Sequence, residues 1–358
     1  MKKFIIGAAI VMCAAFQQAQ ACTGIAFMAN DNGYVMARTM EWSGDYVPYE
    51  YVVIPRNQVI MSYTPSGQNG MTFKSKYGVV GIAAAQKEFI IEGLNEVGLS
   101  AGLFYFPNYG EYVKYDPAKN KKNLADLQFV SWVLTQFSTI DEVKNALGSV
   151  NIISANVGNN SSTVHWRIGE ASGKQVVLEF IDGKPVFYDN AIGVLTNAPD
   201  FNWQMTNLNN YINLKPGVSD NVKWENVELK SIGGCSNFLG LPGDMTPPSR
   251  FVRAAFYKST APRLASSYDA VMQSFHILNN FDIPIGSEHP SDEIPNVPSG
   301  TPCTSAIDLK EMKLYYHTNY NSNIRCIDLK KIDFSKVKYQ SYPLDKSKIQ
   351  PVEEIVIS

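Results

Sequence analysis

The chain has 358 residues, 45% hydrophobic and 18% charged, with 25 glycines and 19 prolines. That composition excludes disorder, collagen and low-complexity classes, and the length suffices for a large core without disulfide or metal staples. Lysine plus arginine number 31 against 33 aspartate plus glutamate, so no basic excess points to nucleic acid, and five cysteines are too few for a disulfide scaffold.

Residues 1–21 read as a removable leader. Lys2 and Lys3 give a positive start, residues 4–16 are apolar, and Ala19-Gln20-Ala21 is a small-residue cleavage site. The apolar run is shorter than the roughly 20 residues of a bilayer-spanning helix. No other stretch is apolar enough to span, so export to the periplasm or beyond, without stable membrane insertion, is expected. Residues 22–358 then form a single domain beginning at Cys22. A cysteine there has two readings: a lipid anchor, with the thiol acylated, or a free nucleophile. Ala19 stands where a lipobox has leucine, but from the leader alone the anchor reading ranks first, and the downstream residues have to decide.

Strand-like runs at 22–28 and 34–40 flank Asp31-Asn32-Gly33, a strong hairpin signal because Asn and Gly tolerate positive φ. The hairpin returns residues 41–43 beside Cys22. Strand parity does not put both Arg38 and Glu41 on the face of Cys22; that would need a bulge or a strand end. A second hairpin is read at 89–94 and 99–106. Helical spacing of Leu124, Leu127, Val130 and Leu134 predicts a helix over 123–137. Thr139 with Glu142 predicts a capping box, and Gly148 a stop. Strands follow at 164–168, 176–181 and 185–188, the last two turning at Asp182-Gly183. Pro247-Pro248 opens a helix to Tyr257, and 267–278 is another. The Pro-rich stretch 283–302 reads as a loop, and strands at 303–309, 314–317 and 324–329 close the chain. Hairpins and paired helices predict an antiparallel α/β layering rather than a β-α-β nucleotide fold.

The chemistry on offer is narrow. His165, His276, His289 and His317 have no metal-ligand spacing, and there is no HExxH, CxxC, GxSxG or GxGxxG. No metal and no cofactor are expected, and the strand and helix histidines read as structural. Cys303 and Cys326 could be near enough to bridge, which spacing alone does not decide. Cys22 stands out because a cysteine at a chain start carries its own base: an α-amine of ordinary pKa about 7.7–8.0, a fixed short distance from the thiol.

Five motifs then occur in order: Cys22-Thr23-Gly24, Arg38-Thr39-Met40-Glu41-Trp42, residues 93–99 (GLNEVGL), Leu195-Thr196-Asn197-Ala198-Pro199, and residues 241–251 (LPGDMTPPSRF). Together with His276-Ile277-Leu278-Asn279-Asn280, this resembles the choloylglycine hydrolase family of conjugated bile salt hydrolases and penicillin V acylases. The resemblance runs along nearly all of the expected mature chain and displaces the lipid-anchor reading. It implies an N-terminal-nucleophile fold, a four-layer αββα sandwich of two antiparallel sheets between helical layers. It also implies hydrolysis of a small-molecule linear amide through a thioester. Cys22 is the implied nucleophile and Arg38 the supporting cation, with Arg250 a further polar residue beside it. The Asn197 side chain and the Tyr105 backbone N–H are the implied oxyanion donors. Glu41 stands where the family usually has aspartate. Tyr105 stands where many bile salt hydrolases have asparagine and penicillin V acylases tyrosine, whereas the matches near His276 and Asn197 look like the bile salt branch; glycine- and taurine-linked bile salts are the first expected substrates, with penicillin V or N-acyl homoserine lactones as the alternatives. Family members are often tetramers, and a homotetramer is the assembly expected by analogy.

Overall fold

The structure is a computed structural model and describes residues 21–42, 47–155, 163–287 and 300–357. The expected leader, apart from Ala21, and most of the expected 283–302 loop lie outside the described residues. Fourteen strands form two large antiparallel sheets. They are β1 (Cys22–Met28), β2 (Tyr34–Trp42), β3 (Tyr49–Ile54), β4 (Val79–Ala84), β5 (Ile90–Asn95), β6 (Leu99–Tyr105) and β7 (Val164–Glu170). They continue with β8 (Gln175–Ile181), β9 (Lys184–Asp189), β10 (Val194–Leu195), β11 (Gly300–Asp308), β12 (Lys313–Thr318), β13 (Asn321–Asp328) and β14 (Gln340–Pro343). One sheet runs β10-β1-β2-β11-β12-β13 and the other β9-β8-β7-β6-β5-β4-β3-β14.

Strand alternation builds the layers. In the six-stranded sheet, Ala26, Met36 and Ile307 face the other sheet and meet Val53, Val80, Ile82 and Leu94. Ile25, Ala37 and Ala306, one residue out of phase, face α4 (Pro247–Thr260) and α5 (Ser267–Leu278) through Phe251, Ala254, Val271 and Phe275. The outer face of the eight-stranded sheet packs Ile90, Leu99 and Leu103 against α1 (Phe129–Gln136) and α2 (Ile140–Leu147). The result is the expected helix–sheet–sheet–helix sandwich with three apolar layers.

The turns have the expected chemistry with two adjustments. Asn32 takes a positive φ of 61° at the first hairpin, and Asp182 and Gly183 take 51° and 72° at the third. The helix expected over 123–137 is shorter. Asn123–Ala125 is a strand in parallel register with Asn151–Ile153, a 3-10 turn follows, and α1 begins only at Phe129. Pairing with a distant strand overrides the helical spacing of Leu124 and Leu127. Thr139 caps α2 through Glu142 N–H at 3.2 Å, but the Glu142 carboxylate turns to Ser138 N–H, so the box is half formed, and Gly148 ends the helix in ordinary right-handed geometry. By contrast, Ser266 and Asp269 form a complete capping box on α5.

Candidate active site

The site grows from the strand registers around Cys22, the first residue of β1. Cys22 lies opposite Met40, and Met40 opposite Cys303. Two residues on, Gly24 lies opposite Arg38, so Arg38 shares the face of Cys22. On the other side of β1, Leu195 of β10 lies opposite Gly24, and the same register carried two residues further brings Asn197 beside Cys22. The Cys22 backbone N–H donates to Asn197 Oδ1 at 2.8 Å, and Asn197 Nδ2 donates to the Tyr105 carbonyl at 2.8 Å. Phe106 pairs with Thr163 by Phe106 N–H to Thr163 O, so Tyr105, one residue earlier, turns its N–H and C=O away from β7, towards Asn197.

Arg250 comes from the first turn of α4. That helix opens on Pro247 and Pro248, and the Asp244 carboxylate secures its start by accepting from Thr246 N–H at 2.9 Å and Ser249 Oγ at 2.6 Å. Those bonds hold the Asp244 carboxyl down at about 2. The buried Arg250 guanidinium donates to the Cys22 carbonyl at 2.5 Å, to Thr23 Oγ1 at 2.9 Å and to Asn197 Oδ1 at 2.7 Å. Asn197 Oδ1 therefore accepts from both Cys22 and Arg250.

Glu41 is placed differently. By alternation its side chain leaves the face of Cys22 and Arg38, and its Oε1 accepts from Thr301 Oγ1 at 3.1 Å, next to an irregularity between Gly300 and Cys303 in β11. Its backbone N–H, however, reaches the Cys22 sulfur. The parity conflict read from the sequence is thus real. It is met by a backbone contact at the strand end rather than by turning the carboxylate inward.

Burial pushes the Cys22 thiol up, and the Glu41 carboxylate adds to that. Arg38, Arg250 and the Glu41 N–H pull it down. Arg38 is itself built into a buried cluster that the sequence reading missed. Its guanidinium donates to the Leu103 carbonyl and to Ile91 O at 3.3 Å, lies 3.9 Å over the Phe104 ring, and sits 3.5 Å from Glu92 Oε2. Glu92 Oε1 in turn takes Arg167 Nη2 at 3.1 Å, and Arg167 Nη1 donates to Ala37 O at 3.0 Å. Arg38 is kept charged by Cys22, Glu92 and Glu41 against its burial, whereas burial outweighs Glu92 at Arg167 and lowers it. Two glycines make room: a Cβ at Gly24 would lie 2.8 Å from Arg167 Nη1, and one at Gly102 would lie 2.1 Å from Glu92 Oε2. Tyr49, at the start of β3, is also close enough for Cys22, Cys303 and Glu41 to add to the rise that burial imposes on its hydroxyl. The only signal for Glu92 and Arg167 was a charge in the middle of a largely buried strand (IIEGLN and VHWRIGE).

Cys303 and Cys326 are both free thiols; Cys303 pairs with Thr318 and Cys326 with Tyr315, too far apart in register to bridge. Among the described residues, no three of His, Cys, Asp and Glu gather as metal ligands, and no helix is long and apolar enough to cross a membrane.

The family model for linear amide C–N hydrolases of the choloylglycine hydrolase family matches residues 22–342. The chain belongs to that family. The matched span opens on Cys22 and takes in every site residue described above. The bile salt hydrolase/transferase of Clostridium perfringens (strain 13 / Type A) is 32% identical over 334 residues, 91% of this chain and 98% of that protein. A solved variant of the conjugated bile acid hydrolase from Clostridium perfringens superposes with a TM-score of 0.81 at 31% identity, covering 94% of this chain and all of that one. The penicillin V acylase from Agrobacterium tumefaciens superposes with a TM-score of 0.71 at 26% identity, covering 89% and 90%. The fold is therefore that of the N-terminal-nucleophile hydrolases, and the family chemistry is hydrolysis of a linear amide C–N bond in a small molecule.

Proposed function

We propose that this chain is an exported cysteine amidohydrolase that deconjugates glycine- or taurine-linked bile salts through a thioester on Cys22, once residues 1–21 are removed. The observation that carries the reading is the hold on Cys22: its N–H lies on Asn197, its C=O on Arg250 and its sulfur under the Glu41 N–H, with all these residues buried. In the processed chain the same nitrogen is an α-amine, which takes the thiol proton. The thiolate, favoured by Arg38, attacks the amide carbon. The second hydrogen of Asn197 Nδ2 and the Tyr105 N–H face the oxyanion as it forms. Collapse expels the amine, which takes its proton from the α-ammonium. Water then gives a proton to the α-amine and opens the thioester, releasing the acid and restoring the thiol.

The bile salt assignment leans on the name of the Clostridium perfringens relative. A second reading, penicillin V, is favoured by Tyr105, whose aromatic side chain suits a flat acyl group better than an asparagine would. Location outside the cytoplasm rests on the leader, and the homotetramer on resemblance; fractionation and light scattering test them.

The full-length gene is expressed, the processed protein is weighed intact, and glycocholate, taurocholate, penicillin V and an N-acyl homoserine lactone are assayed beside Cys22→Ser. A chain starting at an unmodified Cys22 that turns over the bile salts fastest, with the variant inactive, is the expected result. Faster penicillin V turnover would favour the second reading. A diacylglyceryl mass at Cys22, or a Cys22→Ser variant as active as the parent, would overturn both.

A further inference from the structure

Asn197 is held from behind by a buried histidine–glutamate pair that the reaction scheme does not use. His165 on β7 and Glu179 on β8 occupy neighbouring positions of one ladder, both fully buried, with Nδ1 3.0 Å from Glu179 Oε1. The other ring nitrogen, Nε2, lies 3.1 Å from the Thr196 carbonyl. Glu179 Oε1 also accepts from the Phe201 N–H at 3.0 Å. Thr196 and Phe201 bracket Asn197, one residue before it and four after, and both belong to the segment that crosses from the six-stranded sheet to the next helix, Phe201–Asn207.

The proton inventory of this cluster is fixed by chemistry. A carbonyl oxygen only accepts, so Nε2 carries a hydrogen. The 3.0 Å between Nδ1 and Oε1 then requires a second proton between those atoms. The ring cannot rotate away, because Phe106 stacks on it at 4.4 Å and 8° while Phe104 meets it edge-on at 6.1 Å. A further tie runs from Thr196 Oγ1 to the Pro247 carbonyl at 3.1 Å, at the start of the helix that carries Arg250.

We propose that the His165–Glu179 pair is a positioning pair for the reaction: it clamps Thr196 and Phe201, and so sets the distance of the Asn197 amide from Cys22 and from the oxyanion. This rests on the cysteine amidohydrolase reading above. A histidine that merely fills the core would affect stability wherever Asn197 stood. A clamp acts on the chemical step, and only through Asn197.

The test is a double-mutant cycle on the processed full chain with glycocholate and penicillin V. His165→Gln can satisfy only one of the two contacts. Removing an oxyanion donor outright typically costs about 10²–10³-fold in rate, so a misplaced one should cost about 10–10²-fold in kcat, with KM held within about threefold. In an Asn197→Ala background the same change should cost less than about twofold. If His165→Gln does not fold, Glu179→Gln enters the cycle, because it cannot serve Nδ1 and Phe201 together without giving up the Thr196 contact. Wild-type kcat in the single variant, or an equal loss with and without Asn197, would overturn the proposal. Cys22→Ala is the separate arm: activity surviving it would sink the amidohydrolase reading instead.

Discussion

Glu92→Gln removes the one negative charge lying between two buried guanidiniums. In the native arrangement Glu92 Oε2 lies 3.5 Å from Arg38 and Oε1 lies 3.1 Å from Arg167. A glutamine keeps an acceptor for one arginine but turns an N–H₂ donor towards the other. Gly102 backbone closes one side of the carboxylate. At such separations each charge pair is worth about 5 kcal/mol at an effective dielectric constant of ~20, before desolvation is counted. Losing one partner of a buried pair costs about 3–5 kcal/mol, because the cations stay behind uncompensated. Denaturant unfolding at fixed pH, under reducing conditions, should therefore show a lower midpoint with an unchanged slope, a loss of about 3–5 kcal/mol. A loss below about 1 kcal/mol, the range of an exposed pair, would refute the claim that Glu92 is what allows Arg38 to be buried beside Cys22.

Asn197→Ala should lower kcat by about 10²–10³-fold while leaving the protein folded and KM nearly unchanged; a drop of less than tenfold in steady-state assays would remove it from the oxyanion site. Asp126 gives a pH prediction. Burial lifts its carboxyl from the ordinary 3.8 to about 7, against N–H donors from Leu127 and Ala155. An acid raised on folding binds more protons in the native state, so its contribution is fully present below about pH 4 and is lost as the pH rises through about 7. Asp126→Asn keeps both acceptor contacts without the charge. Urea unfolding at pH 5 and pH 8 should show a shallower pH dependence for the variant, with higher stability than the parent at pH 8. Identical dependence in the two proteins would contradict the assignment.

The hairpins were legible because their turns carry residues that accept a left-handed backbone, as at Asn32 and at Asp182-Gly183. Both long helices of the outer layer were legible, one from its Pro247-Pro248 start and the other from the helical run 267–278, while the Ser266 cap that opens the second was not read. The strand at Asn123–Ala125 was not, because three residues carry no period and its partner lies almost 30 positions away. The structure brings together Cys22, Arg38, Asn197 and Arg250 from the named motifs, since β1 is flanked by β2 and β10 and α4 packs across it. Glu92, Arg167 and Glu179 escaped, and His165 was visible only as a strand histidine without its partner, because register between strands is not written in local pattern. Glu41 was visible as a residue but not as a backbone donor, a role that depends on where the strand ends.

The central claim is that one residue supplies both the attacking sulfur and the proton carrier. Rapid acid quench of the processed protein with substrate, followed by mass spectrometry of its first peptide, tests this most directly. An acyl group in thioester linkage on a peptide that begins at Cys22 with a free amine, absent after one residue is added before Cys22, is the predicted result. Full turnover by a protein that still carries Ala21, or an acyl adduct on any other residue, would contradict it.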